Sequence, residues 1–300
     1  MKTKTYLFAL MTMALTLGSC SDNENGIGGE TSKYITVSTS IGNMTRVATD
    51  EKGGQTFEEG DEISVYAWTG DATVAPETRE RVVNNAINKL TNGSWISTPQ
   101  MLWKNNRDKH YFIGVYPTAA ISDLSAGEYT FDETKQVESD LLVAVNKDGL
   151  SYNVDEQQPV PLTFTHVMAK LVVNLTYKNQ WGGIPTVEKV VVGNAAKEAT
   201  INYLTKVVTP STTAKEDFSL PEITENTKYV SVIIPQEDVK QLTIVIGGKN
   251  FVYDNGTPFK LESGKITTVN LEVGRDEIKL GDVKITNWED GSTFSGEALN

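Results

Sequence analysis

The chain has 300 residues, a formal net charge of −12 and a single cysteine. An acidic chain is repelled by phosphate backbones, which argues against nucleic acid as a partner. One cysteine cannot form a disulfide within the chain, so its stability must come from packed cores, and the length suits two domains of ordinary size.

The first twenty residues have the layout of a secretory signal peptide. Two lysines precede an apolar run from Tyr6 to Leu17, which is shorter than the roughly 20 residues needed to span a bilayer. Small residues then precede Cys20, and this arrangement resembles the bacterial lipoprotein signal. We therefore predict that residues 1–20 are a lipoprotein signal peptide and that Cys20 carries the lipid of an outer-membrane precursor.

Residues 21–33 are rich in Ser, Asn, Gly and acidic residues, a composition typical of a flexible tether. Their acidic start also resembles the export tag of lipoproteins displayed on the outer surface of Bacteroidetes cells. The predicted location is the cell surface.

Alternation with a period of two dominates the rest of the chain and predicts an all-β sandwich architecture. In the first such segment Ile35, Val37 and Ile41 alternate with polar residues. Asn-Gly, Asp-Gly and Gly-Gly pairs separate many of the segments, as expected for turns between strands. The other predicted strands are 63–67, 111–116, 141–145, 167–177, 187–192, 229–234, 242–246, 251–253 and 266–273.

The segment 78–90 fits two structures. Its apolar residues recur at the spacing of one helix face: Val82, Val83, Ala86, Ile87 and Leu90. A short surface helix and a strand leading into Trp95 are therefore both open.

The predicted domain boundary lies at residues 157–161. Pro159 and Pro161 interrupt strand pairing there, and a new apolar segment follows. We predict an N-terminal sandwich domain over residues 34–160 and a C-terminal sandwich domain over residues 161–300.

Sequence signatures of catalysis do not emerge. The two histidines, His110 and His166, are far apart in sequence and form no metal-binding cluster. The sequence carries neither a glycine-rich phosphate loop nor a Gly-x-Ser-x-Gly motif. We expect no enzyme activity, no metal and no cofactor, and we expect His166 to be a hydrogen-bonded structural residue that opens a strand.

Several motifs in a fixed order resemble the fimbrillin family of Bacteroidetes, the subunits of short adhesive pili. In chain order they are Phe57–Ile63, Trp95, Trp103, Tyr111–Pro117, Gln136, Ser139–Leu142, Phe164–Leu171, Ile234-Pro235, Ser263–Lys265 and Ile285–Trp288. The resemblance implies two tandem transthyretin-like β-sandwich domains. It also implies assembly with other pilin subunits and contact with a host or bacterial surface receptor.

In fimbrillins an arginine-specific protease cuts after a Thr-Arg pair that follows the first strand. The matching pair here is Thr45-Arg46, within a polar stretch of the kind that proteases cut. By this resemblance we expect cleavage between Arg46 and Val47.

Such a cut would remove the segment with Ile35, Val37 and Ile41 and leave an unpaired sheet edge that a strand from a neighbouring subunit could occupy. The C-terminal segment is the predicted donor. Ile278 and Leu280 are at even-numbered positions and Val283 and Ile285 at odd-numbered positions. A regular strand would place the two pairs on opposite faces, so this segment is either one bulged strand or two short strands. The positions of stalk, tip and anchor subunit all stay open.

An alternative function is a monomeric surface lipoprotein that binds glycans. It requires exposed aromatic rings at one end of a sandwich, and it leaves the first strand uncut. The aromatic candidates are Tyr66, Trp68, Trp95, Trp103 and Trp181. A sandwich hydrolase would instead need two carboxylates that converge in a cleft.

Overall fold

The computed structural model describes residues 33–42, 56–153, 158–254 and 256–288. Apart from single 3₁₀ turns at Thr78–Glu80 and Asn179–Trp181, the regular secondary structure of these residues is β-strand, which confirms the all-β prediction. The strands of the first half are β1 (Val37–Ile41), β2 (Glu62–Thr69), β3 (Arg81–Thr91), β4 (Ser94–Thr98), β5 (His110–Tyr116), β6 (Gly127–Thr130) and β7 (Leu142–Leu150).

The remaining strands are β8 (Val160–His166), β9 (Ala169–Tyr177), β10 (Val187–Ala196), β11 (Glu198–Asn202), β12 (Val207–Pro210), β13 (Lys215–Ser219), β14 (Glu222–Thr224), β15 (Lys228–Ile233), β16 (Gln241–Ile246), β17 (Lys249–Asp254), β18 (Lys265–Val273) and β19 (Ile278–Asn287).

Four sheets make up the described part of the fold. A seven-stranded sheet has the order β1-β8-β7-β5-β2-β3-β4, and a five-stranded sheet has the order β14-β15-β9-β18-β19. A four-stranded sheet (β13-β10-β16-β17) and a three-stranded sheet (β12-β11-β6) complete the set. The buried apolar side chains of these sheets form one hydrophobic core cluster, as expected for a sandwich architecture.

The ambiguous segment 78–90 is mostly strand, and the helix alternative is wrong. Asn84 and Asn85 together face Tyr66 in the pairing of β3 with β2, and Asn85 has a φ of 55°. This β-bulge shifts the inward-facing positions by one residue, so that Val83 and Ala86 are both buried. A three-residue spacing, which imitates a helix, therefore arises within a strand.

The predicted boundary at residues 160 and 161 coincides with the first two residues of β8. This strand lies in the seven-stranded sheet, where it pairs with β7 and with β1. The three-stranded sheet likewise joins β6, from the first half of the chain, to the β11–β12 hairpin from the second half. The residues from Lys33 onward form one compact unit, and the division into two domains stays a prediction.

Candidate functional site

The first strand lies at an edge of the seven-stranded sheet and runs parallel to β8. Val37 is opposite Val160, and Ile41 is opposite Phe164. The Val160 N–H donates to the carbonyl of Thr36 at 2.8 Å, which extends the ladder one residue before the strand. β1 therefore covers a backbone edge of β8 that would otherwise be open to another strand.

The side chains of β1 and its preceding residue alternate between core and solvent. Ile35, Val37 and Ile41 are only 2%, 6% and 8% exposed, whereas Ser38 and Ser40 are exposed. Burying an aliphatic side chain contributes about 1.5–3 kcal/mol before the entropy cost of ordering it. The three apolar residues singled out from the sequence therefore hold this segment in place.

Residues 101–103 hold the start of this segment from its other side. The Ile35 N–H donates to the Met101 carbonyl at 2.9 Å. The Trp103 N–H donates to the Lys33 carbonyl at 3.1 Å. The segment is thus bonded through its backbone to β8 on one flank and to residues 101–103 on the other.

A side-chain hydrogen bond brings the two edges of the seven-stranded sheet together at β1. The indole Nε1–H of Trp95 donates to Thr39 Oγ1 at 2.9 Å. Trp95 lies in β4 and Thr39 in β1, which are the opposite edge strands of the same sheet. The sheet must therefore curl, and β1 lies where its edges meet.

The motif that begins at Phe57 packs against the same place. The Phe57 ring makes edge contacts with the rings of Trp95, Tyr116 and Phe164, at centroid distances of 5.2, 5.4 and 5.1 Å. Such contacts add about 0.5–1.5 kcal/mol each to the burial of area. Gly60, with a φ of 94°, makes the following turn, since a positive φ favours glycine.

The structure does not describe three of the predicted site residues: Cys20, Arg46 and Val47. The described residues on either side of 43–55 both contact Phe164. The Gly42 N–H donates to the Phe164 carbonyl at 2.8 Å, and Phe57 packs against the Phe164 ring. The chain therefore leaves β1 and re-enters the described fold next to the same residue of β8.

The predicted donor residues all lie in β19: Ile278, Leu280, Val283 and Ile285. Val269 of β18 is opposite Val283, and Leu271 is opposite Leu280, so residues 281 and 282 together face Asn270. The segment is therefore one bulged strand, and the bulge accounts for the change of parity. β19 is an edge strand of the five-stranded sheet, whereas β1 belongs to the seven-stranded sheet.

A buried polar cluster that the sequence did not reveal lies near the end of β19. His166 Nδ1 is 2.7 Å from Asp140 Oδ1, and the pair is almost fully buried. The Trp288 ring stacks on the His166 ring at a centroid distance of 4.1 Å and an angle of 10°. Lys170 Nζ lies 5.6 Å from the centre of the Trp288 ring, and burial lowers the pKa of Lys170, partly offset by Asp140.

His166 is hydrogen-bonded, as we predicted, but it is the last residue of β8 and does not open a strand. The Asp140 partner is 26 residues away and Trp288 is more distant still. No local sequence signal links the three residues, because only the tertiary fold brings them together.

The five aromatic residues considered for glycan binding do not form a shared exposed surface. Tyr66 and Trp68 are 0% and 2% exposed, so their faces are unavailable for stacking on a sugar. Trp95, Trp103 and Trp181 are half-buried and already contact other rings. Trp68 and Trp103 line a cleft of about 770 Å³, to which Trp68 contributes little accessible surface.

In the described ranges, no group of three or more His, Cys, Asp or Glu side chains is placed to bind a metal ion. The same residues contain no helix with the length and apolar character required to cross a membrane.

Comparison with known proteins identifies a family and a fold. A model of a fimbrillin-like family matches residues 45–288. The structure is similar to a candidate cell adhesion protein from Bacteroides uniformis ATCC 8492, with a TM-score of 0.63, 18% identity, and coverage of 86% of this chain and 100% of that one.

Two further solved structures show the same fold. A candidate cell adhesion protein from Bacteroides ovatus ATCC 8483 has a TM-score of 0.62, 18% identity and coverage of 85% and 98% of the two chains. A fimbrial protein from Bacteroides vulgatus ATCC 8482 has a TM-score of 0.53, 12% identity and coverage of 83% and 99%. No curated protein matches the sequence.

Proposed function

The chain belongs to the fimbrillin-like family, and on that premise we propose that it is a structural subunit of a cell-surface fimbria that polymerises by strand exchange. The single observation that carries the mechanism is the position of β1. This strand is parallel to β8, lies at a sheet edge and buries Ile35, Val37 and Ile41.

The proposed activation step is cleavage of the peptide bond between Arg46 and Val47 by an arginine-specific protease. The family match begins at residue 45, so β1 precedes the part of the chain that the family shares. Gly42 and Phe57, on the two sides of residues 43–55, both contact Phe164. An extended chain spans about 3.3–3.6 Å per residue, so residues 43–55 are longer than is needed to connect two neighbouring points. Both observations support a processing site in this segment.

Cleavage there would detach β1 from the rest of the chain and leave a groove. The groove would expose the outer backbone edge of β8 and the buried side chains that face β1, including Val160 and Phe164. Losing three buried aliphatic side chains costs about 1.5–3 kcal/mol each before entropy. A strand of similar pattern from a neighbouring subunit would restore both the ladder and the burial.

Donation from one subunit to the next is a head-to-tail contact, and such contacts produce open filaments when the rotation does not close a ring. The proposed precursor is anchored in the outer membrane through Cys20, since residues 1–20 carry the lipoprotein signal pattern. The proposed role is structural and adhesive, with other pilin subunits as partners.

The experiment is digestion of the folded precursor with an arginine-specific protease, followed by sequencing of the new N-terminus and electron microscopy. We expect a product that begins at Val47 and forms filaments. An Arg46→Ala variant should stay uncut and monomeric, and Arg107→Ala, in an exposed loop, is the matched control that should behave as the parent. A first cut elsewhere under native conditions, or filaments from Arg46→Ala, would rule the mechanism out.

A further inference from the structure

The inward face of the first strand segment carries a polar side chain among aliphatic ones. Three of its inward positions are the buried residues Ile35, Val37 and Ile41. Thr39 occupies the remaining position of the same alternation and is half-buried. It is opposite Leu162, which is 1% exposed, and opposed residues of paired strands lie on the same face of the sheet. The Thr39 side chain therefore faces the groove that β1 fills.

The Thr39 hydroxyl accepts a hydrogen bond from a fixed donor on the other edge strand of the sheet. The indole Nε1–H of Trp95 donates to Thr39 Oγ1 at 2.9 Å, and among the described residues this oxygen is its acceptor. The Trp95 ring packs edge-on against Phe57 at a centroid distance of 5.2 Å, which restricts its rotation toward another acceptor. Because a Trp N–H usually has a partner when it is buried, a strand that fills the groove has to supply one.

We propose that Trp95 is a specificity-determining residue of the β1 groove, which selects a neighbouring subunit's strand with a hydrogen-bond acceptor at the position of Thr39. The side chains that fit are Ser, Thr, Asn and Asp, which are short and carry an oxygen, and the side chains rejected are Val, Ile and Leu. This inference rests on the proposed function, because it specifies which strand the emptied groove accepts.

The selection arises from desolvation of the Trp95 N–H. In an empty groove, water is able to accept its hydrogen bond, and an incoming strand displaces that water. An aliphatic side chain at the Thr39 position would leave the donor buried without a partner, a penalty that weakens binding by about 5- to 150-fold. Such a penalty against the wrong strand gives specificity without any added attraction for the right one.

The same hydrogen bond fixes the register of the strand. Side chains alternate with a period of two, so a shift of one residue turns the apolar face outward. A shift of two residues keeps the apolar face inward, but it would place Val37 or Ile41 of β1 against the Trp95 indole. The burial of apolar side chains alone distinguishes these registers poorly, whereas the N–H of Trp95 accepts only the one that brings an oxygen to it.

The first measurement is hydrogen exchange in the full-length, uncleaved chain. Thr39→Val keeps the shape of the side chain and removes its oxygen, so we expect the β1 amides that bond to β8 to exchange about tenfold faster. Thr36→Val is the matched control, since it makes the same substitution at an exposed position of the same segment, and it should exchange as the parent does. In a Trp95→Phe background the donor is absent, and Thr39→Val should no longer speed exchange.

The second measurement uses the protein after digestion at Arg46. Synthetic peptides of residues 33–42 compete with a fluorescent copy of the parent peptide for the groove. We expect the Thr39→Ser peptide, which keeps the hydroxyl, to bind within about threefold of the parent peptide, and the Thr39→Val peptide to bind about tenfold more weakly.

Equal exchange in Thr39→Val and Thr36→Val, or equal binding of the Thr39→Val and Thr39→Ser peptides, would overturn the inference. A Thr39→Val effect that persists in full in the Trp95→Phe background would overturn the role of the indole. A chain that is not cut after Arg46 would instead refute the proposed function, while hydrogen exchange in the uncleaved chain would still decide whether Trp95 requires an acceptor in the groove.

Discussion

At the scale of single residues, the Asp140–His166 pair is a buried polar contact whose loss should destabilise the fold. The two side chains are 4% and 3% exposed, and they join the start of β7 to the end of β8. A buried donor left without its partner costs about 1–3 kcal/mol. We expect Asp140→Ala to lower the free energy of unfolding by about 2–3 kcal/mol, as measured by guanidinium denaturation.

The matched control is Asp276→Ala, at an exposed position, which should change the unfolding free energy by less than about 0.5 kcal/mol. An equal effect of the two substitutions would show that the pair does not stabilise the fold. The Asp140→Ala substitution should also change the surroundings of Trp288, because the Trp288 ring stacks on the His166 ring. We expect a change in tryptophan fluorescence.

At the scale of elements, β1 should be displaced selectively by a charge on its inner face. Val37 is opposite fully buried Val160, whereas the neighbouring Ser38 is exposed. Val37→Asp removes an apolar contact and buries a carboxylate, so we expect a loss of about 3 kcal/mol or more. The accompanying signature is fast hydrogen exchange at the β1 amides.

Ser38→Asp is the matched control, because it introduces the same charge one residue away on the solvent face. It should leave exchange at β1 close to that of the parent. If the two variants exchange alike, the inner face of β1 contributes little to its attachment.

Strand periodicity predicted the elements well where the alternation is unbroken, as in β1, β5 and β18. It failed where a bulge shifts the pattern by one residue. In β3 the bulge at Asn84 and Asn85 produces a helix-like spacing, and in β19 the bulge at residues 281 and 282 divides one strand into two parities. A bulge is fixed by the partner strand, which a single segment does not reveal.

At the scale of the whole molecule, pairing between distant strands is what the sequence could not supply. β6 pairs with β11 across about 70 residues of chain, and β8, placed at the predicted boundary, pairs with β1. Local sequence patterns predict turns and strands, but they do not indicate which distant strand each strand pairs with. The resemblance led us to expect the first strand in a sheet, but its parallel pairing with β8 is known only from the structure.

Tyrosines buried in the hydrophobic core should make the stability of the fold sensitive to alkaline pH. Burial is the main cause that raises the pKa of four tyrosines above the ordinary value of 10.0: Tyr129, Tyr177, Tyr203 and Tyr229. Above about pH 10 the unfolded chain releases protons that the folded chain retains, so stability falls as pH rises. Burial lowers the pKa values of Lys170 and Lys206, which acts in the opposite direction but involves fewer groups than these tyrosines.

Tyr203→Phe tests this explanation, because Tyr203 is 2% exposed and the substitution removes only the ionisable hydroxyl. Each tyrosine kept protonated in the fold contributes a slope of about 1.4 kcal/mol per pH unit above pH 10. We expect the variant to lose stability less steeply by about that amount, as measured by guanidinium unfolding between pH 9 and pH 11. Tyr34→Phe, at a position 45% exposed, is the control. Equal slopes for Tyr203→Phe and the parent would show that ionisation of Tyr203 does not govern the alkaline loss of stability.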